Sequence, residues 1–540
     1  MENPAKKDPL DRQGSEIPSG SALDRGMCVE KRTNDRPEVG GTLNSGGPES
    51  HPKETIYLHG DCSEQRKEDA DRRHRESDLP IVVRDGRADH MAKEQAERQS
   101  RDSTHARERI TPVQSVSSTL SALRAKAEKD RKHRFRGLAR LLNHQMLAEA
   151  FGCLKRKAAP GIDGVVHAEY AENLEANLMD LEKRLKDGRY RARCVKRHWI
   201  PKAGGKLRPL GIPVLEDKIV QQAVKMILES IWEPVFYDES IGYRPGIGAR
   251  EAGKELRNDL NTGCYSWVVE ADIRAFFDRM DHGWLVRMLE ERIADKSLIR
   301  LVVKWLKAGV MEEGSKVIHP ATGTPQGGVI SPILANIYLH YVLDHWIKLV
   351  VCKHTGGRVL FRRYADDIVV AFESEKHARA YLGVLPKRLE KFGLELAEEK
   401  SSLVRFERSN PDISGKFTFL GFDFYWARSK RHERYTYVRR RTNQGKFRAS
   451  LLAMKEWIKK VRHHKLRDLL VVLRRKMRGW FNYYGVIGNS RMIASYEYEV
   501  KRMIYKWLNR RSQRRSFTWA EYARAWERWE MPPARVIERV

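Results

Sequence analysis

The chain has 540 residues and is strongly basic, with 102 Lys and Arg against 72 Asp and Glu and a formal net charge of +30. A charge of this size favours a polyanionic partner, and nucleic acid is the first candidate. Apolar residues make up 41% of the chain, which excludes a wholly disordered protein. No run approaches the roughly 18 consecutive apolar residues that a membrane helix needs.

Two further features concern the compartment. The N-terminus MENPAKKDPLDRQGSE lacks the apolar segment of a secretion signal. The six cysteines are scattered without a C-x-x-C spacing, which argues against a disulfide framework and against a zinc knuckle. We therefore expect a reducing compartment, the cytoplasm.

The charge and the aromatic residues are unevenly distributed. Residues 1–133 contain 25 Lys and Arg, 25 Asp and Glu, and Tyr57 as their single aromatic residue. A segment of this composition cannot build a core, so we predict a disordered or low-order extension, with a helical pattern beginning near Ser118. The whole net charge belongs to residues 134–540.

From residue 134 onward, helical and strand-like patterns alternate. Helices are predicted at 137–156, 168–187 and 214–231, and strands at Trp267–Ile273, Val359–Phe361, Ile368–Phe372, Ser402–Phe406 and Thr418–Tyr425. After residue 444, three basic amphipathic helices follow, in LLAMKEWIKKV, LRDLLVVLRRKMRGWFNYYG and ASYEYEVKRMIYKWLNRR. The sequence thus predicts a mixed α and β unit followed by an all-helical one.

Three aspartates stand out from the basic background. Asp272 follows an apolar strand, and Asp366 and Asp367 lie in a Y-A-D-D sequence that reads as a hairpin tip. Alone, this sequence is also compatible with a solvated turn. Adjacent carboxylates repel each other unless cations neutralise them, and oxygen ligands suit Mg²⁺. Two such ions about 4 Å apart can activate a 3′-hydroxyl and stabilise a pyrophosphate leaving group.

Eight blocks extend this pattern along the chain. They are AAPGIDGV (158–165), HWIPKAGGKLRPLGIP (198–213), FYDESIGYRPGIGAREA (236–252), EADIRAFFDRMDH (270–282), GTPQGGVISPILANIYL (323–339), RRYADDIVV (362–370), GLELAEEKSSLVRF (393–406) and FTFLGF (417–422). In this order they resemble the reverse transcriptase and maturase proteins encoded by group II introns. The resemblance implies an α+β, right-hand polymerase fold of fingers and palm, followed by an all-helical thumb or X domain. It also implies that the palm brings Asp272, Asp366 and Asp367 together around two Mg²⁺ ions.

The resemblance assigns residues to the nucleotide site. Lys206 and Arg208, at i and i+2 after a glycine turn, would clamp the triphosphate, although such a pair also suits phosphate-backbone contacts. Phe277 would pack under the incoming sugar and exclude a 2′-hydroxyl. Its alternative is ordinary core, and on a strand Phe276 and Phe277 would point to opposite sides.

Three more residues follow from the resemblance. Gln326, between a proline and two flexible glycines, would approach the nascent base pair, with a turn-capping role as the alternative. Ile273 would contact nucleotide and metal. Lys400 resembles the lysine that protonates departing pyrophosphate, whereas an ion pair with the adjoining Glu398 and Glu399 would explain it more simply.

The helical C-terminal part resembles the family's thumb through RRKMRGWFNYYG (474–485) and YKWLNRRSQRRSFTW (505–519). Aromatic residues at helical spacing indicate mainly core. The candidates for RNA contact are Arg478, Arg510, Arg511, Arg514 and Arg515. The domains expected are an extension at 1–133, fingers and palm at 134–425, a thumb at 426–516 and a basic, aromatic tail at 517–540.

The resemblance implies an RNA-directed DNA polymerase that also assists splicing and mobility of its intron. Its partners would be intron RNA, an RNA template with a DNA primer, target DNA and dNTPs, at the nucleoid of a bacterial cytoplasm, and a dimer is one option for the assembly. Because no cysteine follows Cys352, we expect no zinc-supported H-N-H endonuclease. Two alternatives stay open: a host-adapted enzyme of repair or phage defence, and a non-catalytic splicing factor, against which the intact aspartates argue.

Overall fold

The computed structural model describes residues 115–538, apart from 202–206, 313–316, 320, 430, 431, 433, 512, 513 and 515. Its helices are α1 Val116–Lys129, α2 His144–Cys153, α3 His167–Glu172, α4 Leu174–Lys186, α5 Leu215–Trp232, α6 Ala249–Thr262, α7 Phe276–Arg279, α8 His282–Glu290, α9 Lys296–Leu306, α10 Ser331–Leu339, α11 Cys352–His354, α12 Glu375–Glu390, α13 Gln444–Val461, α14 Leu466–Tyr484, α15 Ser490–Leu508 and α16 Trp519–Arg528. Its strands are β1 Val195–Pro201, β2 Leu207–Ile212, β3 Trp267–Asp272, β4 Val310–Met311, β5 Val317–Ile318, β6 Val359–Tyr364, β7 Asp367–Phe372, β8 Ser402–Arg405, β9 Phe417–Phe419, β10 Phe422–Arg428 and β11 Thr436–Thr442. Short 3₁₀ turns span Leu138–Leu141 and Glu398–Lys400, and π-helical turns span His340–Asp344 and Ile347–Val351.

An antiparallel sheet in the order β6-β7-β3-β8 lies at the centre of the α/β part. Alternate residues of a strand point to opposite faces, and here both faces are covered. Val269 and Val370 join the main hydrophobic core, whereas Val268 and Val369 join a second core beneath α6 and β9–β11. This double burial explains the continuous apolar runs, and the four strands predicted for this region are confirmed.

A second sheet, in the order β2-β1-β4-β5, pairs β1 antiparallel with β2 and parallel with β4. Helix α5 follows β2 directly, and its residues Ile219, Val220, Val224 and Ile227 are fully buried in the main core. The predicted helix at 214–231 is therefore confirmed. The helix predicted at 168–187 is interrupted at Asn173, which separates α3 from α4.

The helical pattern predicted to begin near Ser118 is confirmed, so the low order predicted for residues 1–133 does not extend through their last part. Helix α1 runs from Val116 to Lys129, with the Ser115 hydroxyl accepting from the backbone N–H of Ser118 at 3.2 Å. Leu120, Leu123 and Ala127 face the main core. Their spacing of three and four residues is the weak helical periodicity that the sequence displays. Residues 1–114 lie outside the described residues.

The predicted strand at Thr418–Tyr425 is a hairpin of two strands instead. Leu420 (φ 51°) and Gly421 (φ 77°) form the turn between β9 and β10, and β10 pairs onward with β11. Phe422, Phe424 and Trp426 alternate into the second core, so β10 runs through the predicted domain boundary at 425. The all-helical part therefore begins at α13 and not at residue 426.

The three predicted C-terminal helices are confirmed as α13, α14 and α15. Trp480 and Tyr496 stack at 3.8 Å between ring centroids in a core separate from the other two. The segment predicted as a tail instead forms α16, which begins at a capping box and buries Tyr522 and Trp526 in the same core.

The last described residues contact the three-stranded sheet of β9, β10 and β11. The buried Arg440 of β11 donates to the carboxylate of Glu538, which also accepts the backbone N–H of Ile487 at 2.8 Å. None of the helices in the described part of the chain is long and apolar enough to cross a membrane.

Candidate active site

The central sheet brings the three predicted aspartates to one place. Asp272 ends β3 and pairs in register with Asp367, the first residue of β7. Asp366 precedes Asp367 in the two-residue turn that joins β6 to β7. Antiparallel pairing thus joins two segments that are far apart in sequence, which the spacing of the residues alone could not do.

Charged groups surround these carboxylates. The Nζ of Lys400 donates to the Asp272 carboxylate, whereas Glu399, the simpler partner considered for Lys400, accepts from Arg274 Nη2 at 2.7 Å. The hydrogen bond to Asp272 raises the pKa of Lys400 and keeps it protonated. Its ammonium group therefore neutralises Asp272.

Burial and neighbouring carboxylates raise the pKa values of Asp366 and Asp367. Desolvation, followed by the charge of Asp272, raises the pKa of Asp366. Desolvation and the charges of Asp366 and Asp272 raise the pKa of Asp367 to about 6, although its side chain still reaches solvent. The positive charge of Arg208, an exposed residue of β2, acts in the opposite direction on the pKa of Asp366.

The donor set fits a hard divalent cation. Carboxylate oxygens are the ligands such cations prefer, and a cation would relieve the repulsion that raises the pKa of Asp366 and Asp367. Within the described ranges, no three His, Cys, Asp or Glu side chains already converge as a metal cage. Because Lys400 binds Asp272, an ion would have to compete with Lys400 for that carboxylate.

A fully buried arginine, Arg363, supports the turn that carries Asp366. Its guanidinium binds both oxygens of the buried Asp344, at 2.8 Å and 2.7 Å, and its Nη1 donates to the Ala365 carbonyl at 3.1 Å. It also donates to Asn336 Oδ1 at 3.2 Å and to the Ser240 hydroxyl. Burial alone would raise the pKa of Asp344, but Arg363 outweighs it and lowers this pKa to about 2. Ala365, held in this way, has a φ of 57°.

The loop before α6 closes the outer side of this turn. Its backbone pairs with β6, through Ile241 N–H to the Arg363 carbonyl at 2.8 Å. A Cβ on Gly242 would lie 2.1 Å from the backbone nitrogen of Ala365, so only glycine allows this approach. Tyr243 follows with a φ of 63° and an exposed ring.

Sequence reasoning singled out neither Arg363 nor Tyr243. A signal for Arg363 was available, because it shares strand parity with the buried Phe361 and so occupies an inward position of β6. An inward arginine requires a buried acid, and Asp344 sits in the π-helical turn His340–Asp344. No sequence pattern distinguishes Tyr243.

Phe277 occupies the first turn of α7 and does not lie on a strand as predicted. Ala275, with a φ of 47°, ends the extended segment and starts the helix. Phe276 is buried in the core, whereas Phe277 is half-buried. The predicted division between a core ring and a more accessible ring therefore holds, with helical geometry as its cause.

Gln326 lies in a loop tied to both α7 and β2. The Thr324 N–H donates to the Phe277 carbonyl at 2.7 Å, and the Gly211 N–H donates to the Gln326 carbonyl at 2.6 Å. Gly327, at a φ of 109°, passes so close to the Gly211 carbonyl that a Cβ would lie 2.9 Å from it. These hydrogen bonds join the loop of Gln326 to Phe277 and to β2, the strand that carries Arg208.

The remaining predicted site residues differ in their accessibility. Ile273 is 2% exposed, so a contact with nucleotide or metal could come only from its backbone. Lys206 lies outside the described residues. Among the candidates for RNA contact, Arg478, Arg510 and Arg514 are exposed on the helical part, Arg511 has Nε and Nη2 shielded from solvent, and Arg515 lies outside the described residues.

Comparisons with known proteins match both parts of the chain. The family described as reverse transcriptase (RNA-dependent DNA polymerase) matches residues 200–424, and the group II intron, maturase-specific domain matches residues 448–526. Protein YkfC of Escherichia coli strain K12 is 34% identical over 354 residues, which cover 58% of this chain and 90% of YkfC.

The group II intron-encoded protein LtrA of Lactococcus lactis subsp. cremoris is 29% identical over 405 residues, which cover 60% of this chain. The chain spans 66% of the length of LtrA. Among solved structures, telomerase from Candida albicans superposes with a TM-score of 0.37 and 13% identity, covering 64% of this chain and 65% of that chain.

Proposed function

Because the chain belongs to the reverse transcriptases that carry a group II intron maturase-specific domain, we propose that it is an RNA-directed DNA polymerase that also assists intron splicing and mobility. The observation that carries the proposal is the register of β3 and β7, which sets Asp272 opposite Asp367 beside Asp366. In this reading the central sheet is the palm of a right-hand polymerase, the sheet of β1 and β2 belongs to the fingers, and α13–α15 form the thumb. The partners are template RNA with a DNA primer, dNTPs, intron RNA and target DNA, in a bacterial cytoplasm.

Asp272, Asp366, Asp367 and the backbone of Ile273 would hold the divalent cations, for which we propose two Mg²⁺ ions. When bound, such ions lower the pKa of a 3′-hydroxyl and neutralise the charge that develops on the leaving pyrophosphate. Arg208, with Lys206, would hold the triphosphate. The protonated Lys400 lies beside Asp272. It can donate its proton to pyrophosphate once another cation has become the partner of Asp272.

Primer extension with Mg²⁺ on RNA and DNA templates, beside a splicing assay with the flanking intron RNA, tests the proposal. We expect extension on both templates and a gain in splicing. If the protein extends the primer on neither template, the result would favour the non-catalytic splicing factor. Extension without any effect on splicing would favour a host-adapted enzyme.

The half-buried ring of Phe277 predicts a sugar gate. We expect Phe277→Ala and Phe277→Val to raise the use of ribonucleotides relative to deoxyribonucleotides, because the lost volume admits a 2′-hydroxyl. Single-nucleotide addition with matched dNTP and rNTP measures this ratio. Thermal unfolding of the same variants should also be measured, since deletion of a buried Phe costs about 3–5 kcal/mol of stability. An unchanged ratio in stable variants would indicate that Phe277 is an ordinary core residue.

The C-terminal arginines predict a separation of splicing from polymerisation. We expect replacement of Arg510, Arg511, Arg514 and Arg515 with Ala to weaken binding of intron RNA. The slope of log affinity against log salt should fall by roughly 0.7–0.9 for each phosphate that these arginines no longer neutralise. Extension on a short generic template should suffer less, because these residues lie beyond the end of α15.

A matched control removes the same charge elsewhere, from the exposed Arg124, Arg189, Arg300 and Arg379 of the α/β part. The control should keep the salt slope of the unmodified protein. An unchanged slope in the C-terminal variant, or a loss of generic extension as severe as the loss of splicing, would contradict the assignment.

A further inference from the structure

Tyr243 combines an exposed aromatic ring with a backbone conformation that tyrosine rarely adopts. Its φ is 63° and the residue is 44% exposed. A bulky residue in the left-handed region costs folding free energy, which glycine at the same position would avoid. Such strain persists where the surroundings impose it, and it concentrates at functional sites. Ala275 and Ala365, on either side of the carboxylates, also have positive φ.

The surroundings fix Tyr243 from both sides. Before it, the Asn336 side-chain amide donates to the Gly242 carbonyl at 2.7 Å. After it, Arg244 binds Glu233 at 2.9 Å and donates to the Tyr237 and Ser240 carbonyls at 3.0 Å and 3.1 Å. The backbone that carries the Tyr243 ring is therefore held in place by the fold.

The ring that Tyr243 meets is that of Phe277. The two centroids lie 6.4 Å apart with an interplanar angle of 72°, an edge-to-face contact. On its other side, Phe277 meets the buried Phe276 at 5.2 Å. Among the described residues, these are the two aromatic rings that contact Phe277. Phe276 belongs to the core, so Tyr243 is the contact on the accessible side.

We infer that Tyr243 is a positioning residue that holds the Phe277 ring in place and thereby sets how strictly the polymerase rejects ribonucleotides. The inference rests on the proposed function and deepens it. A ring excludes a 2′-hydroxyl by volume only while it cannot turn aside, and Tyr243 contacts Phe277 on the side that the core leaves open. The phenolic hydroxyl is not required for this role.

The test measures kcat/KM for a dNTP and the matching rNTP in single-nucleotide addition. The proteins are the unmodified chain, Tyr243→Gly, Tyr243→Phe, Phe277→Ala and the double variant Tyr243→Gly/Phe277→Ala. Tyr243→Gly removes the ring and also relieves the backbone, so it is not expected to misfold. Tyr435→Gly, at an exposed tyrosine remote from the site, is the matched control.

We expect Tyr243→Gly to lower discrimination against rNTP by about three- to tenfold, the range of one edge-to-face aromatic contact. Tyr243→Phe should keep full discrimination, and the double variant should discriminate no worse than Phe277→Ala, because the two residues act through one ring. Unchanged discrimination in Tyr243→Gly, or independent effects that multiply in the double variant, would overturn the inference. Failure of the unmodified chain to add either nucleotide would instead overturn the proposed function.

Discussion

Asp272→Asn and Asp366→Asn are each expected to reduce deoxynucleotide addition by about a thousandfold or more. The proposed ions contribute several kcal/mol of charge stabilisation in the transition state, and about 1.4 kcal/mol corresponds to a tenfold change in rate. Affinity for RNA should remain nearly unchanged, because these carboxylates would hold metal and not template. Primer extension and filter binding, performed on the same preparations, measure the two quantities.

Asp412→Asn is the matched control, since this aspartate is exposed and pairs with Arg428 away from the carboxylates. A second measurement, independent of turnover, is the binding of Mn²⁺ followed by its paramagnetic resonance signal. If either aspartate variant adds deoxynucleotides at a rate close to that of the unmodified chain, the assignment of these aspartates as metal ligands would be contradicted. A parallel loss of RNA affinity would indicate that the carboxylates organise the nucleic-acid groove instead.

Arg363 and Asp344 give the largest effect expected on stability. Arg363→Met or Asp344→Asn leaves one buried charge without its partner, which costs about 3–5 kcal/mol of unfolding free energy. Replacing both, as in Arg363→Met/Asp344→Leu, removes both charges and is often neutral for stability. We therefore expect the double variant to recover most of the lost stability in chemical denaturation.

Recovered stability should not restore polymerisation. The double variant still lacks the hydrogen bond from Arg363 to the Ala365 carbonyl, so the turn that carries Asp366 loses its support from within. We expect slow primer extension by a well-folded protein. Extension at the rate of the unmodified chain would reduce Arg363 to a purely structural role. Single variants that unfold like the unmodified chain would contradict the expected contribution of the pair to stability.

Local patterns were sufficient to predict the strands of the central sheet and the three long C-terminal helices, but not β1, β2 or the helices α6–α12. The apolar runs of β3, β6, β7 and β8 are visible because both faces of the central sheet are buried, and α13–α15 are visible because each has one apolar face. The predicted strand at 418–425 failed because apolar residues continue through the turn. The reversal at Leu420 and Gly421 depends on two left-handed residues, and only one of them is a glycine.

The candidate site was less predictable than the elements that carry it. The aspartates are chemically conspicuous, so they could be selected before their proximity was known. Arg363 and Tyr243 act through contacts with other segments, at Asp344 and Phe277. Strand parity marks Arg363 as an inward residue but does not identify its partner, and no local pattern marks Tyr243. Weak helical periodicity predicted α1, but the packing of Leu120, Leu123 and Ala127 against the main core could not be inferred from that segment alone.

Strand β10 has a consequence for how such proteins are inherited. It crosses residue 424, where the reverse transcriptase match ends, and pairs with β11 beyond it. A recombination joint at that residue would split a strand between two parents. The connection between β11 and α13 also joins the two parts. Asn443 accepts the Lys446 N–H at 3.2 Å at the start of α13 and donates to Asp423 of β10 at 2.6 Å. Catalytic and maturase parts should therefore exchange poorly between lineages and descend together as a single block.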